Sequence, residues 1–348
     1  MKLGIYSSGW SAPGPVQFGA SDFWRLAVPA KELQKHGWDV VAGTEIQSAR
    51  DGSLILKDSY GTLHDGFDVV LWQRWMGVGA PDAIRKARST GQVIVNDVDD
   101  YYDALPRSNA ARANTDPSRN PDYNRDIYRE VVKASSLITV STPFLAKALE
   151  RWGPPIRVVP NYIALDRWIP RPPGEHIGWV GVIPWRGADL QILQKAVVPW
   201  LRERNLPFYH GGALANGNRA STILQYENVI EREAVGLPQY PSLWRDLRIA
   251  LIPIELSPFG QAKSAAKGIE ACARGIPFIA SRHPEYETLG VGRLAKRPWE
   301  WTYHLDALQD PEVYAQEAAA NRARAESLDI SLNWQRWDEV FRDAIALA

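Results

Sequence analysis

The chain has 348 residues, too many for one ordinary core and suited to two domains of about 150–170 residues each. Lysine plus arginine equals aspartate plus glutamate, 40 against 40, so no global field pulls the chain onto nucleic acid or an anionic membrane, although a local basic patch remains open. A single cysteine, Cys272, excludes a disulfide framework and a cysteine-rich metal site.

The apolar run after Met1 is too short for a signal peptide, and no stretch approaches the roughly 18–20 apolar residues that span a bilayer. The expectation is a cytoplasmic chain with no membrane span. Residues 3–6 form a strand, followed by a glycine- and proline-rich loop up to Ala20. Ser21 or Asp22 then caps a helix in which Phe23, Leu26, Ala27, Ala30 and Leu33 recur at helical spacing. Pro29 kinks this helix and Gly37 ends it. Residues 39–42 are a strand, and 53–57 with the surroundings of Leu63 form a small hairpin or excursion. Buried strands at 68–72 and 92–97 flank a helix at 81–89. The pattern breaks into a long loop over 105–123. A helix at 126–134, a strand at 136–141, a helix at 143–152 and a strand at 156–159 complete the first half.

Residues 161–173 read as a hinge, with Pro170, Pro172 and Pro173 after Trp168. A second alternating set begins at His176: a helix at 189–204, strands near Phe208, near Val229 and at 248–254, a helix at 262–274 and a strand at 277–281. Helical stretches at 299–308, 311–327 and 332–347 close the chain. Such alternation is the pattern of parallel α/β domains, with ligands at the carboxyl ends of strands. The division is therefore 1–160, a hinge at 161–173, 174–330, and a last helix at 331–348. Fifteen tryptophans allow two readings, core packing or stacking on sugar rings, and core packing is the commoner for any one of them.

The segment from Leu251 to Glu270 carries the most chemistry. An apolar strand feeds Ser257-Pro258-Phe259-Gly260, which opens a helix whose unpaired N–H groups make an anion site. Lys263 and Ser264 fall in its first turn, and Lys263, Lys267 and Glu270 share one face. A diphosphate at the helix tip, with a carboxylate further along for ribose hydroxyls, fits a nucleotide-sugar. The alternative is a solvated Lys263 beside a surface Lys267–Glu270 ion pair worth a few tenths of a kcal/mol.

This segment resembles the donor-binding region of the retaining GT-B glycosyltransferases related to sucrose and glycogen synthases. Lys263, Ser264, Lys267 and Glu270 match a Lys-Ser-x-x-Lys-x-x-Glu branch of that family, and 271–281 match its Ala-x-Ala-x-Gly-x-Pro-x-x-Ala-Ser run. Glu285 and Tyr286 fall where the family often has an acidic or aromatic loop residue. Residues 138–143, the Val158-Val159-Pro160-Asn161-Tyr162 hinge entry, the strand Ile177–Gly181, the helix with Arg25, Pro29, Leu33 and Gly37, and the last helix with Trp334, Trp337 and Phe341 extend the resemblance over most of the chain.

The resemblance implies two Rossmann-like domains facing each other across a cleft, the last helix crossing back to the first domain. The first domain would bind the acceptor and the second the donor, without a metal or other cofactor. Donor contacts would come from Gly9, Gly181, Ser257, Phe259, Gly260, Lys263, Ser264, Lys267 and Glu270. Lys263 and Arg186, together with Asp99, would serve catalysis. Two departures stand out. The first of the family's paired glutamates falls at Ala262, and the usual Arg–Lys pair is reduced to Arg186 in the loop 182–189.

Asp97, Asp99 and Asp100 form an Asp-x-Asp-Asp cluster at a strand end. It reads as a divalent-metal site, as an acceptor site whose carboxylates take sugar hydroxyls, or as a structural cap; the acceptor reading is preferred. Trp10 and Arg74 join Asp97 and Asp100 as acceptor contacts. The loop Ser8 to Gly14 lacks Gly-x-Gly-x-x-Gly and is no dinucleotide fingerprint. His210 lies near the base or ribose, or in packing, with packing preferred. The expected activity is transfer of a sugar from a nucleoside diphosphate sugar, such as a UDP-sugar, with retention. The acceptor is a glycan, protein, small metabolite or modified DNA base, nucleic acid being disfavoured by the neutral charge. The rivals are a silent nucleotide-sugar-binding protein and a sugar epimerase.

Overall fold

The computed structural model describes residues 1–7, 20–169, 171–213 and 219–348. The chain divides into two compact units. Unit 1 holds Met1–Ala104, Arg112–Tyr162 and Ile330–Ala348; unit 2 holds Leu105–Ala111 and Ile163–Asp329.

Unit 1 is built on a six-stranded parallel sheet of β1 (Lys2–Ser7), β2 (Asp39–Gly43), β3 (Val69–Gln73), β4 (Val93–Val98), β5 (Leu137–Val140) and β6 (Ile156–Val158), in the order β2-β1-β3-β4-β5-β6. Strands β3, β4 and β5 are buried along their whole length, which is why they read as nearly unbroken apolar runs. The excursion after β2 is a three-stranded antiparallel sheet of Glu45–Ser48, Leu54–Lys57 and Leu63–His64. The first helix is not simply kinked at Pro29. Phe23–Ala27 are π-helical, with Val28 N–H reaching Phe23 O, and α geometry resumes over Val28–Lys35. The distortion thus lies ahead of the residue that has no N–H to give. Asp22 is inside the helical run rather than capping it, and its buried carboxylate accepts from Ser7 Oγ at 2.8 Å.

The last helix, Gln335–Ala346, packs within unit 1. Trp38 Nε1 donates to Asp338 at 2.9 Å, and the Trp337 ring lies 4.8 Å from the Arg25 guanidinium.

Unit 2 repeats the architecture with β7 (His176–Val180), β8 (Phe208–Gly212), β9 (Val229–Glu233), β10 (Leu247–Ile252), β11 (Phe278–Ser281) and β12 (Arg293–Ala295), all parallel in the order β9-β8-β7-β10-β11-β12. The order reverses between β7 and β10, and the carboxyl ends at such a reversal are where open α/β sheets bind ligands. One core cluster, including Leu190, Leu193, Phe208, Leu251, Ile279 and Trp301, packs helices on this sheet.

Three helix expectations change here. The stretch 182–189 is not a loop: helix Ile183–Ala196 starts before it ends, with non-helical geometry at Arg186. That helix stops at Val197 and a second one, Val198–Glu203, begins, because Pro199 cannot donate to the preceding turn. The helix expected over 262–274 is a four-residue turn, Pro258–Gln261, then non-helical residues, then helix Ala266–Arg274. Most tryptophans serve packing, Trp72, Trp244, Trp301 and Trp337 being fully buried, whereas Trp299 is exposed. Among the described residues, no helix is long and apolar enough to cross a membrane.

Candidate functional site

The carboxyl ends of β7 and β10 frame a concavity in unit 2 lined by Arg186, Asp189, Glu255, Ser257, Phe259, Gly260 and Lys263, with Pro106, Ser108 and Asn109 on its wall. The turn that shapes it is built tightly. Ser257 Oγ accepts the Gly260 N–H at 3.2 Å as an N-cap, and Ile254 N donates to Ser281 Oγ at 2.9 Å. A Cβ on Gly260 would stand 1.7 Å from Glu255 O, so no larger residue fits that turn. Beneath it His283, fully buried, donates from Nε2 to Gly260 O at 3.1 Å and accepts the Glu285 N–H at Nδ1. Burial lowers the His283 pKa, which keeps the ring neutral in this role.

Two cations reach the concavity. Lys263 Nζ lies 4.3 Å from the Phe259 ring centroid, and Arg186 is paired through Nε with Asp189. Asp189 also accepts the Glu255 N–H at 2.7 Å, tying the arginine-bearing segment to the exit of β10. The helix reading placed Lys263 and Ser264 in a first turn. Both instead precede Ala265, the N-cap of Ala266–Arg274, so Lys263 does not share a helix face with Lys267 and Glu270. The arrangement still sets a lysine, an arginine and a capped turn around one small space, the donor set for an anion.

Lys267 and Glu270 do face one another. Lys267 Nζ lies 2.9 Å from Glu270 Oε2, and Glu270 is only 3% exposed, so this is no surface ion pair. Tyr240 Oη donates to the same oxygen at 2.8 Å and also contacts Lys267 Nζ. Burial, then the Glu270 charge, pushes the Tyr240 phenol well above its ordinary value. Gly181, just past β7, donates its N–H to Gly211 O at 2.9 Å and accepts from His210 Nε2 at 3.2 Å. The His210 ring is buried and stacks on Trp179 at 5.3 Å, the packing role.

A second cluster sits at the strand ends of unit 1. Arg74, one residue past β3, takes left-handed backbone geometry at φ 58°, costly for a non-glycine residue, and its carbonyl accepts from Tyr123 Oη at 2.9 Å. Its guanidinium pairs with Asp22. Burial opposes the Arg74 charge, but Asp99, Tyr102 and Asp22 around it outweigh burial and hold its pKa above the ordinary arginine value. Asp99 and Asp100 lie past the end of β4, half-buried, and Asp99 Oδ1 has no hydrogen-bond partner among the described residues.

Asp97 does not belong to this group, which corrects its acceptor assignment. It is inside β4, fully buried, and its carboxylate takes Arg25 Nη2 at 2.7 Å, Gln73 Nε2 at 2.8 Å and Thr139 Oγ1 at 2.7 Å. Nothing remains of it for a ligand. Gly9, Trp10 and the rest of the stretch Ser8 to Gly14, as well as Pro170 of the expected hinge, lie outside the described residues. Among the described residues no group of three or more histidine, cysteine or acidic side chains could hold a metal ion.

The sequence reading missed Tyr240, Asp189, His283 and the Leu105–Ala111 wall. Only Asp189 had a usable signal, its position three residues after Arg186 at helical spacing.

The two sheets, with their strand-end sites, are Rossmann-like α/β units of the GT-B type, and comparison with solved structures agrees. The chain is similar to sucrose-phosphate synthase from Thermosynechococcus elongatus at 13% identity and TM-score 0.66, over 100% of both chains. It is similar to AviGT4, a glycosyltransferase involved in avilamycin A biosynthesis, at 14% identity and TM-score 0.64, over 100% of this chain and 98% of that one. HepE of Anabaena, solved in complex with UDP, matches at 14% identity and TM-score 0.61, over 99% of this chain and 100% of that one. No family model matches, and no curated protein matches by sequence. At such identities the likeness shows the fold.

Proposed function

We propose that the chain is a glycosyltransferase that moves a sugar from a nucleoside diphosphate sugar, a UDP-sugar first among the candidates, to an acceptor hydroxyl. The observation that carries this reading is the pairing, at the strand-order reversal of one parallel sheet, of a space lined by Lys263 and Arg186 with a buried Glu270 carboxylate on the adjoining helix. That combination suits a diphosphate and a ribose together. HepE, similar in fold, was solved with UDP and with UDP-glucose.

In this reading Lys263 and Arg186 neutralise the charge that grows on the leaving diphosphate as the glycosidic bond breaks. Ser257, Gly260 and Ser264 shape and line the diphosphate site, and Phe259 carries the lysine. Glu270 accepts ribose hydroxyls, and Lys267 serves the donor through Glu270. Acceptor recognition is assigned to unit 1, with Asp99 taking the acceptor proton and Arg74 and Asp100 orienting its hydroxyls. Retention of configuration and independence of metal follow from the resemblance.

The test is a thermal-shift screen of the full chain against nucleotide-sugars, followed by release of free nucleoside diphosphate from each hit. A hit with slow hydrolytic release in the wild type, abolished by Lys263→Ala and by Glu270→Ala, is the expected result. Unchanged release in both variants would overturn the site assignment.

A further inference from the structure

Glu270 is held by one oxygen. Tyr240 Oη at 2.8 Å and Lys267 Nζ at 2.9 Å both donate to Oε2, which fills the two in-plane lone pairs of that atom. Among the described residues no hydrogen bond reaches Oε1. The two donors differ in what they can fix. Lys267 rides on the same helix three residues before Glu270, is a third exposed, and has a flexible four-carbon stem. Tyr240 comes from a separate element, the 3-10 stretch Leu237–Trp244, and its ring is wedged edge-on against Trp168 at 6.5 Å. Lys267 Nζ sits over the rings of Tyr240 at 5.0 Å and Trp244 at 5.7 Å, and Trp244 is 1% exposed. The aromatic pair therefore locates the lysine as well as the carboxylate. A carboxylate pinned at one oxygen presents the other in a fixed direction, which a carboxylate held from its own helix alone does not do.

We propose that Tyr240 is a positioning residue that pins Glu270 Oε2 so that Oε1 alone meets the ribose, and thereby makes the site select ribonucleoside over 2′-deoxyribonucleoside diphosphates. The inference rests on the donor reading of Glu270 given above. Its consequence differs from that reading, since it concerns discrimination between two donors rather than binding as such.

Isothermal titration of the full chain with UDP, ADP and GDP, each paired with its 2′-deoxy form, tests it in the wild type, Tyr240→Phe and Glu270→Gln. For the diphosphate that the wild type binds best, the ribo form should bind about tenfold more tightly than the deoxy form. In Tyr240→Phe that ratio should fall to within about threefold, through loss of ribo affinity with deoxy affinity unchanged. A variant that merely loosens the fold weakens both forms equally and keeps the ratio, and that outcome overturns the proposal. Should Tyr240→Phe fail to fold, Lys267→Met removes the flexible donor and should keep the wild-type ratio, because Tyr240 still pins Oε2; loss of the ratio in Lys267→Met would overturn the proposal. The two failures separate cleanly. If Glu270→Gln keeps the wild-type ratio, or no diphosphate binds the wild type, the donor reading itself falls. If Glu270→Gln loses the discrimination and Tyr240→Phe keeps it, only the role of Tyr240 falls.

Discussion

The pair Arg25 and Asp97 offers the sharpest test of how unit 1 is held together. Arg25 is 2% exposed and Asp97 has no exposure at all. The arginine bonds Asp97 through Nη2 at 2.7 Å, donates to Val159 O and to Asn161 Oδ1 at 3.1 Å, and lies 4.8 Å from the Trp337 ring. One guanidinium thus fastens β4, the segment after β6 and the last helix. Asp97→Asn keeps the shape but strands a buried cation, a loss of about 3–5 kcal/mol. Arg25→Met strands the carboxylate, which keeps Gln73 and Thr139 as donors, so its cost belongs near the lower end, about 3 kcal/mol. For a unit of this size each kcal/mol moves the melting midpoint by roughly 2–4 °C, so the single variants should fall by roughly 6–20 °C. Arg25→Met/Asp97→Asn strands no charge and should cost less than the sum of the single changes by about 2–3 kcal/mol. Urea denaturation of the full chain, followed by tryptophan fluorescence and circular dichroism, measures all three. Additive effects, or single losses under about 1 kcal/mol, would refute the pair as the fastening of unit 1.

Gly260→Ala places a Cβ 1.7 Å from Glu255 O and forces the capped turn open, so nucleoside diphosphate affinity should drop at least about tenfold while unit 1 melts unchanged. Glu285, half-buried in the first turn of helix Pro284–Leu289, has its pKa pushed by burial from 4.5 to about 7. A raised acid pKa means the folded state binds the proton more tightly, so its contribution is full below pH 4.5 and is lost as pH rises to about 7. Glu285→Gln should therefore melt higher than the wild type at pH 8 and alike near pH 4. His283 runs the other way. Its neutral ring props Gly260, its pKa is lowered from 6.5 by burial, and stability present above pH 6.5 is lost on acidification. Nucleoside diphosphate affinity should fall more steeply between pH 7 and 5 in the wild type than in His283→Gln, where only the ligand phosphate and Glu285 still titrate, and parallel profiles would remove His283 from the support of the turn.

The fold was legible because parallel strands buried on both faces write themselves as apolar runs, as at β3 and β10, and their alternation with helical periods names the architecture. Glu270 and Lys267 were legible because helix spacing alone puts them together. Lys263 and Ser264 were misplaced because the Ser-Pro cap before them starts a turn of only four residues, and nothing in the composition of 262–265 marks the break. Asp97 was misjudged because its partner, Arg25, is 72 positions away, and an acidic triplet does not show which member faces a core arginine. Tyr240 was invisible for the same reason, since its value lies in a contact with a helix thirty residues on.

The way the chain enters and leaves unit 2 has a practical meaning. Ile163 N donates to Leu328 O at 3.0 Å, and Ile163 bridges Asp329, so the two ends of the long segment lie side by side. Apart from Leu105–Ala111, unit 2 is an insertion within unit 1, whose own sequence resumes at Ile330. Cutting the chain after residue 162 therefore does not yield unit 1, because the piece would lack Trp337 and the helix that covers Arg25. A chain started at Ile330, with Ala348 linked to Met1 and stopped at Tyr162, would keep that unit's parts in one continuous polypeptide. The tail of this protein is, in folding terms, part of its beginning.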